Sequence, residues 1–181
     1  MIPDIEDLRG SLVEIHADEG ADLSKAMLDY IKDMQDEHEK ILTCYYDVRG
    51  NLRREDAEQS VFDKIWMVPT LEGRAAQESL MFAMKNTDIV VIDDITYVDG
   101  DLRRFVESLE KLARKSKACV FLLNQKRFVR DRATGLFEEK PYRYDVIEKY
   151  CKLSADADTG KISLLQMEEP KYDSFVEHLI S

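Results

Sequence analysis

The stretch from Thr87 to Asp94 restricts this chain more than any other. Ile89, Val90, Val91 and Ile92 form an unbroken β-branched run that ends in two acids, Asp93 and Asp94. A strand that is apolar on both faces belongs inside a sheet covered by helices on each side. The expected class is therefore α/β, with a largely parallel central sheet flanked by helices. In such sheets ligands bind outside the carboxyl ends of the strands, which makes Asp93 and Asp94 candidate site residues. An isolated apolar strand can also end in acids that do no more than cap the following turn. The sequence upstream decides between the two.

Ser11 to His16 reads as the first strand. A loop follows, and then a helix in which Leu23, Met27, Tyr30, Ile31 and Met34 make one apolar stripe, with Asp22 as its expected N-cap. Strand, loop and helix is the layout of a phosphate-binding P-loop, G-x-x-x-x-G-K-[ST], whose partner acid at the end of a central strand helps to hold Mg²⁺. Against that pattern Ala17 stands at the first glycine, Asp22 at the second, Leu23 at the lysine and Ser24 at the hydroxyl position. Only Ser24 keeps the chemistry. The glycine lets the backbone close around phosphate, and the lysine supplies positive charge. Here Asp18, Glu19 and Asp22 surround the helix start instead, where carboxylates take the place of a phosphate. The residues favour an ordinary strand-loop-helix that does not bind a triphosphate.

Further strands are expected over Ile41 to Tyr46, Lys64 to Val68 and Ala118 to Leu123. Helices are expected over Leu52 to Val61, over Glu72 to Asn86 and from Gly100 onward, where Leu102, Phe105, Val106, Leu109, Leu112 and Ala113 recur at helical spacing. After Gln125 comes an expected basic loop with Lys126, Arg127, Phe128, Arg130 and Arg132, closed by a turn over 133–135. Tyr142 to Leu153 and Lys161 to Gln166 read as a C-terminal β-hairpin turning around 158–160. Pro170 leads into a short amphipathic helix. No repeat or linker divides the chain, so residues 1–181 are expected to form a single domain.

Composition narrows the function classes. A net charge of −11 opposes any role that coats nucleic acid unaided. Cys44, Cys119 and Cys151 are odd in number and widely spaced, and Cys44 and Cys119, which fall in expected strands, are expected to be reduced core residues. His16, His38 and His178 form no ligand motif, so no metal site is expected. No apolar run approaches the roughly 20 residues of a membrane span. The first residues lack the basic-then-apolar order of a signal peptide. A soluble intracellular protein is expected, nuclear in a eukaryote and cytoplasmic otherwise, with no membrane partner.

The order of elements resembles the ATPase core of the RecA/RadA recombinases over about residues 10–168. The residues that carry it are Leu12 to His16 before the degenerate P-loop, Cys44 to Asp47, Met67 to Leu80, Ile89 to Asp93 and Phe121 to Gln125. The resemblance implies that Asp93, with Asp94 beside it, is Walker-B-like and would serve Mg²⁺. It implies that Gln125 is sensor-like and leads into a flexible DNA-contacting loop. The family's catalytic glutamate falls at Arg49. Glycines, lysine and glutamate are thus all replaced while the strand cores are kept, the pattern of a pseudo-ATPase with no catalytic residues. With the first strand expected to begin at Ser11, the family's N-terminal domain and oligomerisation segment are expected to be missing, as is its C-terminal DNA-gateway domain.

The chain is similar in this respect to the small accessory paralogues of eukaryotic recombinases. That similarity implies a heterodimer with an ATP-competent paralogue, with ATP and Mg²⁺ held by the partner and no cofactor on this chain. It further implies action on a recombinase filament and on single-stranded DNA through the complex, with Lys126, Arg127, Phe128, Arg130 and Arg132 as contact candidates. Two alternatives stay open. One is an active RecA-like or helicase-like NTPase in which Lys25 or another lysine stands in. The other is a scaffold of this fold unrelated to DNA. Ile2, Ile5, Leu8, Phe175 and Ile180 are candidates either for a pairing face or for the domain's own core.

Overall fold

The computed structural model describes residues 4–18, 21–69, 71, 73–98, 100–156 and 163–164. Among them eight strands form one sheet. They are β1 (Leu12–Ala17), β2 (Thr43–Asp47), β3 (Ile65–Val68), β4 (Ile89–Asp93), β5 (Cys119–Arg130), β6 (Phe137–Pro141), β7 (Cys151–Asp156) and β8 (Ser163–Leu164). The order is β3-β2-β4-β5-β1-β7-β8, and β6 pairs with β5 alone. The pairs from β3 across to β7 are all parallel. The expected α/β sheet is present, with β4 in its interior between β2 and β5.

Alternation along the strands feeds two cores. Val13, Ile15, Ile89, Val91 and Phe121 face α2 (Leu23–Glu37), which contributes Met27, Tyr30, Ile31 and Met34. Leu12, Val90, Ile92, Val120 and Leu122 face the other way. There they meet α4 (Gly73–Asn86) and α5 (Leu102–Ser116) through Leu80, Met84, Val106 and Leu109. Asp101 caps α5 by accepting from the N–H groups of Arg103 and Arg104. Ile5 and Leu8, on the short α1 (Ile5–Leu8), are fully buried, so these two belong to the domain core. Ile2, Phe175 and Ile180 lie outside the described residues, as do the turn around 158–160 and the helix expected after Pro170.

Three local expectations need correction. The helix expected over Leu52 to Val61 is a 3₁₀ turn (Arg54–Asp56) and a separate short α3 (Gln59–Phe62). That segment buries only Val61 and Phe62, too little apolar surface to support a longer helix. Residues 144–147 form a helical turn, α6 (Tyr144–Ile147), where a strand was expected. Adjacent Val146 and Ile147 are both fully buried, which a half-exposed strand would not allow. The antiparallel pairing expected at the C-terminal end is found, between β7 and β8. Finally, β5 does not stop at Leu123 but runs on to Arg130, so the expected basic loop is one arm of a ribbon with β6.

All three cysteines are reduced and buried. Burial pushes the Cys44 thiol up to about 12, which leaves it protonated and unreactive. Among the described residues no helix is long and apolar enough to cross a membrane.

Candidate functional site

The carboxyl ends of β4 and β5, the start of α2 and the segment after β2 enclose a pocket of about 460 Å³. Ser24, Asp22, Arg49, Asp93, Asp94 and Gln125 are among its walls. Three of the four degenerate P-loop positions (Asp22, Leu23 and Ser24) therefore share this pocket with Asp93, Asp94 and Gln125, while Ala17 does not line it.

Asp93 is 3% exposed. Its Oδ2 accepts hydrogen bonds from the Ser24 hydroxyl at 2.7 Å and the Tyr45 hydroxyl at 2.9 Å. Burial pushes its carboxyl up to about 6 against the pull of those two donors, and the charges of Asp47 and Asp94 add to the rise. Asp94 follows in the left-handed region at φ 70°, a conformation that Asp tolerates better than most residues. Its Oδ1 accepts from the backbone N–H and the hydroxyl of Thr96, closing the turn after the strand. Its Oδ2 accepts from the Arg49 guanidinium at 2.9 Å. That guanidinium also lies 5.5 Å from the centre of the Tyr97 ring.

The other P-loop positions have ordinary structural roles. Ala17 and Leu23 belong to the apolar core on the α2 side. The Asp22 carboxylate accepts from the backbone N–H of Lys25 at 2.9 Å and so occupies the end of the helix itself. The Lys25 ammonium turns away along the helix to Asp29, 3.4 Å from its carboxylate. Asp47 caps its own exit turn through the N–H groups of Asn51 and Leu52.

A buried polar group that the sequence reading passed over lies behind Gln125. Asn124, 1% exposed, donates to Glu14 Oε1 at 2.7 Å and to the Tyr142 carbonyl at 2.8 Å. Glu14 and His16 are themselves 3% and 4% exposed, with His16 Nδ1 3.8 Å from Glu14 Oε2. The available signal was an acid and a histidine breaking an otherwise apolar strand. Tyr45 was also missed, because a tyrosine inside a β-rich run reads as core.

The register of the ribbon puts Lys126, Phe128 and Arg130 on one face with Phe137, Glu139 and Pro141, and Arg127 and Val129 on the other with Glu138 and Lys140. Phe128 and Phe137 are 73% and 70% exposed. The cations do not converge. Lys126 lies 3.3 Å from Asp18, Arg127 stacks over Tyr142, Arg130 donates to the Gly135 carbonyl, and Arg132 is exposed in the turn. A second exposed aromatic group lies at the sheet edge, where Trp66 on β3 meets Phe82 on α4 edge-to-face at 5.4 Å.

No family model and no curated protein sequence matches the chain. Among solved structures it is similar to the RadB recombinase, with a TM-score of 0.59 and 15% identity, over 84% of this chain and 79% of that one. That likeness establishes a RecA-like fold around the pocket.

Proposed function

We propose that the chain is a non-catalytic recombinase paralogue, which pairs with an ATP-binding paralogue to assemble or stabilise recombinase filaments on single-stranded DNA. One observation carries this reading: Arg49, at the position of the family's catalytic glutamate, forms an ion pair with Asp94 inside the pocket. A carboxylate there would orient water, whereas a guanidinium tied to an acid does not. The remaining wall also fits a Mg²⁺-bound triphosphate poorly. Ser24 and Asp93 are suited to the metal, but Asp22 takes a helix N–H that a phosphate would need, and Leu23 brings no charge.

The Trp66–Phe82 edge supports the pairing half of the proposal. Among the described residues β3 ends the sheet, which leaves its outer N–H and C=O groups for a partner's strand, with aromatic side chains beside them. The ribbon supports the DNA half, with Phe128 and Phe137 as stacking surfaces and the arginines as phosphate contacts. Replacing Lys126, Arg127, Arg130 and Arg132 by Ala in the purified heteromeric complex should weaken single-strand binding and flatten its salt dependence. Unchanged affinity and salt slope would remove the DNA role.

A second reading has one observation in its favour. Arg53 also lines the pocket and is exposed there, so that Arg49 and Arg53 offer cations from the wall opposite the P-loop. Saturable Mg²⁺-dependent nucleotide binding, lost on Arg53→Ala, would make the protein an NTPase with an unconventional phosphate site.

A further inference from the structure

The amino ends of the strands, opposite the pocket, hold a second convergence of chemistry-bearing residues. Asp4 and His38 are 34 positions apart in sequence, yet Asp4 Oδ2 and His38 Nε2 lie 2.9 Å apart. Glu37 joins them, and one donor atom from each of the three residues lies within 4.8 Å of the others. The group forms where the C-terminal end of α2 meets the residue that caps α1. The last carbonyls of a helix give its C-terminal end partial negative charge, which favours a cation.

A neighbouring side chain points to a ligand independently. Tyr30 is 6% exposed, and among the described residues its hydroxyl has no hydrogen-bond partner. Its ring packs edge-on against Phe121. Burial raises the hydroxyl's pKa, and the charges of Cys119, Asp4 and Glu37 raise it further, so the oxygen lies within electrostatic reach of both carboxylates. A buried hydroxyl left unsatisfied costs stability, and a water held beside it would relieve that cost.

We propose that Asp4, Glu37 and His38 form a divalent-cation site suited to Zn²⁺, with the Tyr30 hydroxyl bonded to a water on the metal. Zinc takes imidazole nitrogen and carboxylate oxygen at about 2.0–2.2 Å and commonly adds water to three protein ligands. Calcium and magnesium take all-oxygen sets, so the imidazole argues against both. The metal replaces the proton shared between Asp4 and His38. It ties α1 to α2 and is structural, since it lies at the end of the sheet away from the pocket.

The test is Zn²⁺ titration of the untagged full chain by calorimetry, with thermal unfolding followed in parallel. One equivalent should bind with micromolar affinity and raise Tm by a few degrees. His38→Gln and Asp4→Asn (Asn still caps a helix) should each weaken binding at least tenfold while leaving the metal-free circular dichroism unchanged. Tyr30→Phe removes only the hydroxyl and should weaken binding by a smaller, severalfold factor. Absence of binding would overturn the site. So would binding that both ligand variants leave intact, which would place the metal elsewhere on the chain.

Discussion

Asp93 and Asp94 are neighbours at the end of one strand, both buried, and their surroundings have made them opposites. Asp93 faces inward to two hydroxyls and no cation, so burial dominates and its carboxyl titrates near 6. Asp94 turns through a left-handed backbone to a guanidinium and a capped turn. The first is held by the Ser24 and Tyr45 hydroxyls on a single oxygen. The second is half of an ion pair with Arg49 in the wall of the same pocket. The two acids share one strand end, so what separates them is their partners: the Ser24 and Tyr45 hydroxyls for Asp93 and, two places past Asp47, the Arg49 guanidinium for Asp94.

Breaking the pair should have the largest effect. Arg49→Met leaves Asp94 buried without its cation, at a cost of about 2–4 kcal/mol, less than for a fully buried pair because Arg49 is partly exposed. Asp94→Asn preserves the left-handed conformation and the Thr96 cap, and should cost about 1 kcal/mol. The double variant should cost clearly less than the sum of the two. Additive losses in chemical denaturation would show that the two side chains do not act as a unit.

A smaller effect of opposite sign is expected at Asp93. Its folded pKa lies above its ordinary value of 3.8, so the native state binds more protons than the unfolded chain between about pH 4 and 6. Stability falls as pH rises through that window, and the penalty is fully present above it, at about 3 kcal/mol by order of magnitude. Both hydroxyls donate to one oxygen, which an Asn carbonyl can replace. Asp93→Asn should therefore stabilise the protein at pH 7 by about 1–3 kcal/mol and flatten stability against pH from 4 to 7. A destabilised variant with the pH slope intact would mean that Asp93 is charged at little cost.

The smallest changes sharpen the same contrast. Tyr45→Phe removes one of the two donors that hold Asp93 down, and should cost about 1 kcal/mol while moving the pH-dependent window upward. Lys126→Ala breaks its contact with Asp18 at the pocket rim and should cost under about 0.5 kcal/mol.

Most of the sheet was legible because each core strand carries its own instruction, an apolar run of strand length ended by polar residues. The convergence of Ser24, Asp93 and Gln125 followed from that order. What could not be read depended on partners distant in sequence. The ribbon arm from Lys126 to Arg130 has no apolar alternation of its own and is a strand because residues 137–141 pair with it. The helical turn at 144–147 is set by the burial of Val146 and Ile147 against the core. Arg49 could be placed just after the second strand, but its ion pair with Asp94 depends on a backbone turn that a sequence pattern does not encode. The grouping of His38 with Asp4 was hidden for the same reason, since a ligand motif read along the chain misses residues joined only by packing.

The most direct test of the central claim is calorimetric titration of the purified chain with ATP and Mg²⁺. The proposed non-catalytic role predicts no saturable heat from the wild-type chain, and binding only when an ATP-competent paralogue is present in a one-to-one complex. Saturable Mg²⁺-dependent binding by the chain alone, abolished by Asp93→Asn, would contradict it.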